Sequence, residues 1–150
     1  MRRAIQLSRD EMRAGAGGPF AALIVLDGEV VGEGWNCVTS HNDPTAHAEI
    51  SAIRDACTRL GRFSLEDAVM YATCEPCPMC LAAIYWARIS KLYFANTTEE
   101  AAQIGFDDRE IYHQISLTYD HRDIPAERLL GDEAIAVFRE WEDKPDRIPY

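Results

Sequence analysis

The alternation of apolar and polar positions marks out the elements before any chemistry is considered. Residues 2–14 read as a weakly periodic helix, and Gly15-Ala16-Gly17-Gly18-Pro19 stops it. Residues 20–26 are then an apolar run too short for most helices. After Asp27-Gly28 comes Glu29-Val30-Val31-Gly32-Glu33-Gly34-Trp35. Two such runs joined by Asp-Gly predict a β-hairpin.

Asp43-Pro44 has the form of a helix start, with Asp43 as N-cap and the proline at the first helical position, where no N–H is needed. Ala48, Ala52, Ile53, Ala56 and Leu60 recur at three- and four-residue spacing, which predicts one buried stripe ended by Gly61. Residues 68–73 read as a buried central strand, 76–88 as a second apolar helix and 91–96 as the next strand. Strands alternating with helices predict an α/β fold, a three-layer α/β/α domain on a mixed central sheet. Beyond Ala101 the pattern loosens. Residues 106–115 suggest a short helix, 116–123 are ambiguous, 132–142 suggest a helix and 144–150 an extended tail. No internal repeat or low-complexity segment is present.

The length of 150 residues with 47% hydrophobic content suits one domain over residues 1–150. No run of about 18 apolar residues occurs, and residues 1–6 lack the apolar stretch of a signal peptide, so a soluble cytoplasmic protein is expected, with no membrane partner. Fifteen basic against twenty-five acidic side chains give a formal charge of −10, which disfavours nucleic acid as a partner. Five cysteines are an odd number, and three of them, Cys74, Cys77 and Cys80, fall within seven residues. That crowding suits a metal in a reducing compartment better than disulfides.

Two stretches carry the candidate chemistry: Thr45-Ala46-His47-Ala48-Glu49 and Cys74-Glu75-Pro76-Cys77-Pro78-Met79-Cys80. On a helix beginning near Pro78, Cys77 as cap and Cys80 in the first turn share a face at the positive end of the helix dipole, which favours the thiolates a metal requires. His47 offers a third, neutral ligand from the first turn of the other helix. Three protein ligands leave a tetrahedral Zn2+ one open position, and water held there would ionise at a pKa of about 7. Glu49 is the natural proton shuttle for hydrolysis at such a site. Positions two apart do not face each other on an ideal helix, however, so Glu49 would have to reach round to join His47.

Other readings of these residues exist. Glu49 alone could be a carboxylate favoured by the helix dipole. The cysteine run could begin an iron–sulfur site, but the expected fourth cysteine is missing, and a redox pair would leave His47 and Glu49 unused. The joint pattern, H-x-E followed by P-C-x-x-C, is the signature of zinc deaminases.

With these motifs the chain resembles the cytidine deaminase-like superfamily and, within it, the small bacterial guanine deaminases. The resemblance runs nearly end to end, through Gly17-Gly18-Pro19-Phe20, residues 42–49, residues 74–80, Ala83-Ile84-Tyr85-Trp86-Ala87-Arg88, Gly105-Phe106-Asp107-Asp108 and Tyr150. It implies zinc on His47, Cys77 and Cys80, with Glu49 as shuttle. It further implies that Asn36, Asp108 and Tyr150 contact a nucleobase while Phe20 and Trp86 line its pocket. It also implies a homodimer in which C-terminal segments, about residues 131–150, are exchanged, so that Tyr150 closes the partner's site. Ile148-Pro149 before the tyrosine departs from that pattern.

The expected reaction is hydrolysis of guanine to xanthine and ammonia. A tRNA adenosine deaminase, or another nucleobase or nucleoside deaminase of the same superfamily, is the first alternative, and a non-enzymatic zinc module the second. For the contact residues the plain structural readings are a turn cap for Asn36, core packing for Phe20 and Trp86, a helix-start carboxylate for Asp108 and a frayed end for Tyr150. Glu133 reads as surface, Cys74 as a packed thiol, and His41, His113 and His121 have no motif context.

Overall fold

Asp27 and Gly28 hold φ of 50° and 85°. Two positive φ values in succession make the tight turn whose twist matches a hairpin. It joins β1 (Ala21–Leu26) to β2 (Glu29–Trp35), which pair antiparallel from Ala21↔Trp35 to Leu26↔Glu29 with an irregularity between Ile24 and Val25. On its other side β1 pairs antiparallel with β3 (Val69–Cys74), and β3 pairs parallel with β4 (Lys91–Asn96). The strand order in this computed structural model, which describes residues 1–150, is β2-β1-β3-β4, a mixed sheet as the sequence pattern predicts.

Two faces follow from the two-residue period of a strand. Ala22, Ile24, Met70 and Ala72 point to one side and pack on Ala48, Ala52 and Ala56 of α3 (Ala48–Leu60) and on Ile84 of α4 (Pro78–Trp86). Leu23 and Ala21 point to the opposite side, where the helix α1 (Arg2–Arg13) packs on β1 and β3 and buries Ala4 and Ser8. Helices on both faces make the three layers.

The α3 layer sits close to β2 because both surfaces are stripped of bulk. A Cβ on Gly34 would lie 2.2 Å from the Ala48 carbonyl oxygen and 2.3 Å from the Ala52 nitrogen, and one on Gly32 would lie 2.6 Å from the Ala52 oxygen. Alanines on the helix and glycines on the strand therefore let the two backbones nearly touch.

One predicted boundary is wrong. The helix expected from Asp43 begins at Ala48, and the short helix α2 (Val38–His41), which the sequence pattern did not suggest, precedes it. Asp43 does not cap a helix. Its Oδ1 accepts the Thr45 N–H at 2.8 Å and the Thr45 hydroxyl at 2.7 Å, a local turn that competes with helix formation. The Cys37 N–H donates to the Ala46 carbonyl, tying this segment to the end of the hairpin. After β4, the helix α5 (Thr98–Gln103) also went unread, although Thr97 and Glu100 form its capping box.

The chain divides into two compact units, Met1–Glu110 and Ile111–Tyr150. The division falls inside the helix α6 (Arg109–Ser116). The second unit continues through a 3-10 turn, Tyr119–His121, where Arg122 donates to the Gln114 and Leu117 carbonyls, to the helix α7 (Gly131–Asp143). Residues 144–150 follow without a regular element, in keeping with the expected tail.

Because His47 and Glu49, the expected metal ligand and proton shuttle, stand at the start of α3, spreading the helix from β2 should disturb both stability and site. Gly34→Ala is expected to destabilise the protein by about 1–3 kcal/mol and to lower its zinc content, read by urea denaturation and metal analysis of the same preparation.

Candidate metal centre and active site

Two helix N-termini converge on one point. His47 is the N-cap of α3, with extended backbone at φ −72° and ψ 159°. Cys77 is the N-cap of α4, also extended at φ −62° and ψ 167°, with Pro78 at the first helical position and Cys80 two residues later. His47 Nδ1 lies 3.5 Å from Cys77 Sγ and 3.5 Å from Cys80 Sγ. The three donor atoms all fall within 4.8 Å of one another.

These spacings can be tested against an ion. Zinc with bonds of about 2.3 Å to sulfur and about 2.0–2.1 Å to nitrogen holds its tetrahedral N and S donors about 3.5–3.6 Å apart. The observed separations match that edge, and the donor set of one imidazole and two sulfurs is the borderline-soft kind that zinc prefers. The residues therefore fit the metal.

The charges already lean toward binding. Hydrogen bonding from the Cys80 thiol, and then from His47, holds the Cys77 thiol well below its ordinary range, which favours a thiolate there. The Cys80 thiol, donating to Cys77 and buried beside Glu49, is pushed up instead. The hydrogen bond to Cys77 raises His47. A cation drawing electrons from both sulfurs would displace the proton they share.

Glu49 is only 8% exposed, and burial raises its carboxyl above the ordinary range. The difficulty of two residues spaced i and i+2 on one helix dissolves here. His47 lies outside the helix, on extended backbone, so it and Glu49 in the first turn both serve the same end of α3.

The first unit carries most of the other residues singled out by the sequence. Asn36, just past β2, is 7% exposed, and its Oδ1 accepts the Gly18 N–H at 3.2 Å and the Val38 N–H at 3.3 Å. It does cap a turn, as its plain structural reading held, but with its oxygen only. Phe20 is half-buried and meets Phe106 edge-on, with ring centroids 4.8 Å apart. Burial raises the Asp108 carboxyl, and the charges of Cys77, Asp107 and Glu75 push it further the same way. Cys74, raised to about 11 by burial and then by Glu49, behaves as a packed thiol, and its Sγ donates to the Thr97 carbonyl at 3.6 Å.

Two expected contacts, Trp86 and Tyr150, are exposed. Trp86 ends α4 at 67% exposure and borders a shallow depression with Ala82, Tyr85 and Arg88. Tyr150 is 72% exposed at the chain end. Three residues without a separate role in the sequence reading make contacts here: Phe106 with Phe20, Gly17 with Asn36, and Glu75, which accepts the Thr98 N–H at 3.3 Å. The signal for all three was their place in the motif stretches that carry the resemblance.

Paired helix starts presenting N and S donors beside a buried carboxylate, all carried on a mixed sheet, define a zinc-dependent deaminase. The chain belongs to the family described as cytidine and deoxycytidylate deaminase zinc-binding region, whose model matches residues 1–96. It is similar to guanine deaminase of Bacillus subtilis strain 168, 45% identical over 150 residues, which is 100% of this chain and 96% of that one. The X-ray structure of guanine deaminase from that species superposes with a TM-score of 0.96 at 46% identity, covering 99% of this chain and 95% of that one. A tRNA-specific adenosine deaminase of Haemophilus influenzae is 37% identical over 124 residues, 79% of this chain and 71% of its own length. No helix is long and apolar enough to cross a membrane.

Removing one of three donors should empty the site. His47→Ala is expected to lose zinc on dialysis against a chelator that leaves the unaltered protein loaded, and to lose the thermal stabilisation that zinc gives. A full metal content in that variant would show that the ligands lie elsewhere.

Proposed function

We propose that the protein hydrolyses guanine to xanthine and ammonia, with zinc held by His47, Cys77 and Cys80 and with Glu49 moving the protons. The carrying observation is the buried Glu49 at the start of α3, beside a donor triad whose N–S spacing is that of zinc. Zinc with three protein ligands keeps one position open, and there it supplies the Lewis acidity that makes water nucleophilic near neutral pH.

Glu49 takes a proton from water as its oxygen adds to C2 and delivers it to N3. The second proton goes to the exocyclic nitrogen, so that the C2–N bond breaks with ammonia as leaving group and the ring retains the new oxygen. Burial of Glu49 favours this traffic, because a raised carboxyl binds and releases a proton closer to neutral pH.

The base would be read by Asn36, which offers an N–H donor to its carbonyl or ring-nitrogen acceptors, and by Asp108, which accepts from its N–H groups. Phe20 and Trp86 would supply flat apolar walls. A free base carries no phosphate and needs no cationic clamp, which agrees with a net charge of −10.

A tRNA adenosine deaminase is the second reading, favoured by the Haemophilus relative. The acidic balance opposes it, since RNA affinity rests largely on phosphate neutralisation.

We further take the chain as one deaminase domain acting as a homodimer, with residues 131–150 exchanged so that the partner subunit's Tyr150 closes the site. In support, α4 exposes Tyr85 and Trp86, and α7 exposes Val137 and Phe138, more apolar surface than a lone chain usually leaves in water. Five cysteines without a disulfide suit the cytoplasm.

Ammonia release from guanine, but not from adenosine or a tRNA stem-loop, is the expected result, and Glu49→Gln should lower it by about 10²- to 10⁴-fold with zinc unchanged. Near-normal turnover in that variant would refute the shuttle. Deleting Tyr150 should cut guanine turnover far more than thermal stability; equal activity would mean that the tail closes nothing.

A further inference from the structure

The two hydrogen bonds of the Asn36 side chain both fall on one atom. Oδ1 accepts from Gly18 N–H and from Val38 N–H, at 3.2 and 3.3 Å. Both neighbours are backbone donors, so the amide has only one sensible orientation: turning it over would set NH2 against two N–H groups. An asparagine can ordinarily present either a donor or an acceptor. Here the acceptor is used up within the fold, and the NH2 is what remains for anything outside it.

The turn that imposes this is fitted to the asparagine. A Cβ on Gly17 would lie 2.3 Å from the Asn36 carbonyl oxygen and 2.6 Å from its Oδ1, contacts no real side chain makes. Gly18, whose N–H does the holding, is in turn packed against the Phe20 and Phe106 rings, which would stand 3.3 and 3.1 Å from a Cβ there. The Asn36 N–H donates to the Phe20 carbonyl, and Cys37 N–H to the Ala46 carbonyl, one residue before His47. The same few residues thus connect the glycine turn, the aromatic pair and the metal-bearing strand-to-helix segment.

We infer that the Gly17-Gly18 turn is a specificity-determining element: it fixes the polarity of Asn36 as a pure donor, so that the site selects bases with a hydrogen-bond acceptor at the edge Asn36 meets. Gly17 and Gly18 are positioning residues, acting through Asn36, and this rests on the reading of Asn36 as a base contact. Apart from N3, which Glu49 protonates, guanine offers two such acceptors, the carbonyl oxygen O6 and the ring nitrogen N7. In 2,6-diaminopurine an amino group replaces the first, and in 7-deazaguanine a C–H replaces the second.

The test is steady-state ammonia release from guanine and these two analogues. Unaltered protein should lose about tenfold or more in kcat/KM on the analogue that lacks the acceptor Asn36 meets, because a built donor is left unpaired. Gly17→Ala, which crowds Oδ1, should raise KM for guanine by about tenfold, change kcat little and keep full zinc. That penalty should vanish on the discriminating analogue, which a merely structural defect would not allow. Asn36→Asp keeps an oxygen for both N–H groups, and so its fold, but loses the donor; its kcat/KM for guanine should fall by about 10²-fold or more. Should Gly17→Ala fail to fold, Asn36→Asp and the analogues on the unaltered protein decide the matter.

An unchanged KM in a folded Gly17→Ala, equal penalties on all three bases, or normal turnover by Asn36→Asp would overturn the lock while leaving guanine deamination standing. No guanine turnover by the unaltered, zinc-loaded protein would refute the substrate reading, and this inference with it.

Discussion

The approach of α3 to the backbone of β2 is the constraint on which the rest of the first unit depends. Glycines at 32 and 34 remove side chains from the strand, and Ala48, Ala52 and Ala56 keep the facing helix surface small. The helix is therefore held at the sheet by main-chain contact rather than by interlocking side chains, which leaves it little freedom to slide or tilt. Its N-terminus inherits that rigidity. His47 and Glu49 need placement within fractions of an ångström of a metal and of a reacting base, and a close-packed interior transmits such placement well.

The second helix start meets the first from β3, and the two differ in kind. Cys77 and Cys80 bring sulfur at the positive end of α4, whereas His47 brings a ring nitrogen and Glu49 a carboxyl whose pKa burial raises. Metal binding and proton transfer want opposite environments. Here they are separated by two residues of one segment, with His47 on extended backbone and Glu49 in the first turn.

Much of this was legible in the sequence, and the failures have physical causes. The bounds of β2 and β4 and the placing of Cys77 as a cap follow from turn residues and from proline, whose effects are local. The start of α3 was misread because Asp43-Pro44 satisfies the helix-start pattern, while the structure uses the same aspartate for a side-chain turn with Thr45. That error produced the apparent conflict between His47 and Glu49. The packing of Gly17 on Asn36, and of Phe20 on Phe106, joins residues far apart in sequence, and no periodicity announces such contacts.

What the triad and Glu49 define is a reaction rather than a substrate, since any amino-substituted ring carbon placed beside them could be hydrolysed. Discrimination has to come from groups that bind the remainder of the base, and such groups discriminate strongly only when a wrong partner leaves them unpaired in a buried place. A freely turning amide fails that requirement, because it can offer oxygen to a donor as readily as nitrogen to an acceptor. Asn36 meets it because its oxygen is already taken by two backbone N–H groups. The glycine turn, which holds no ligand and takes no part in proton transfer, thereby acts on substrate choice while the zinc chemistry of the family stays constant.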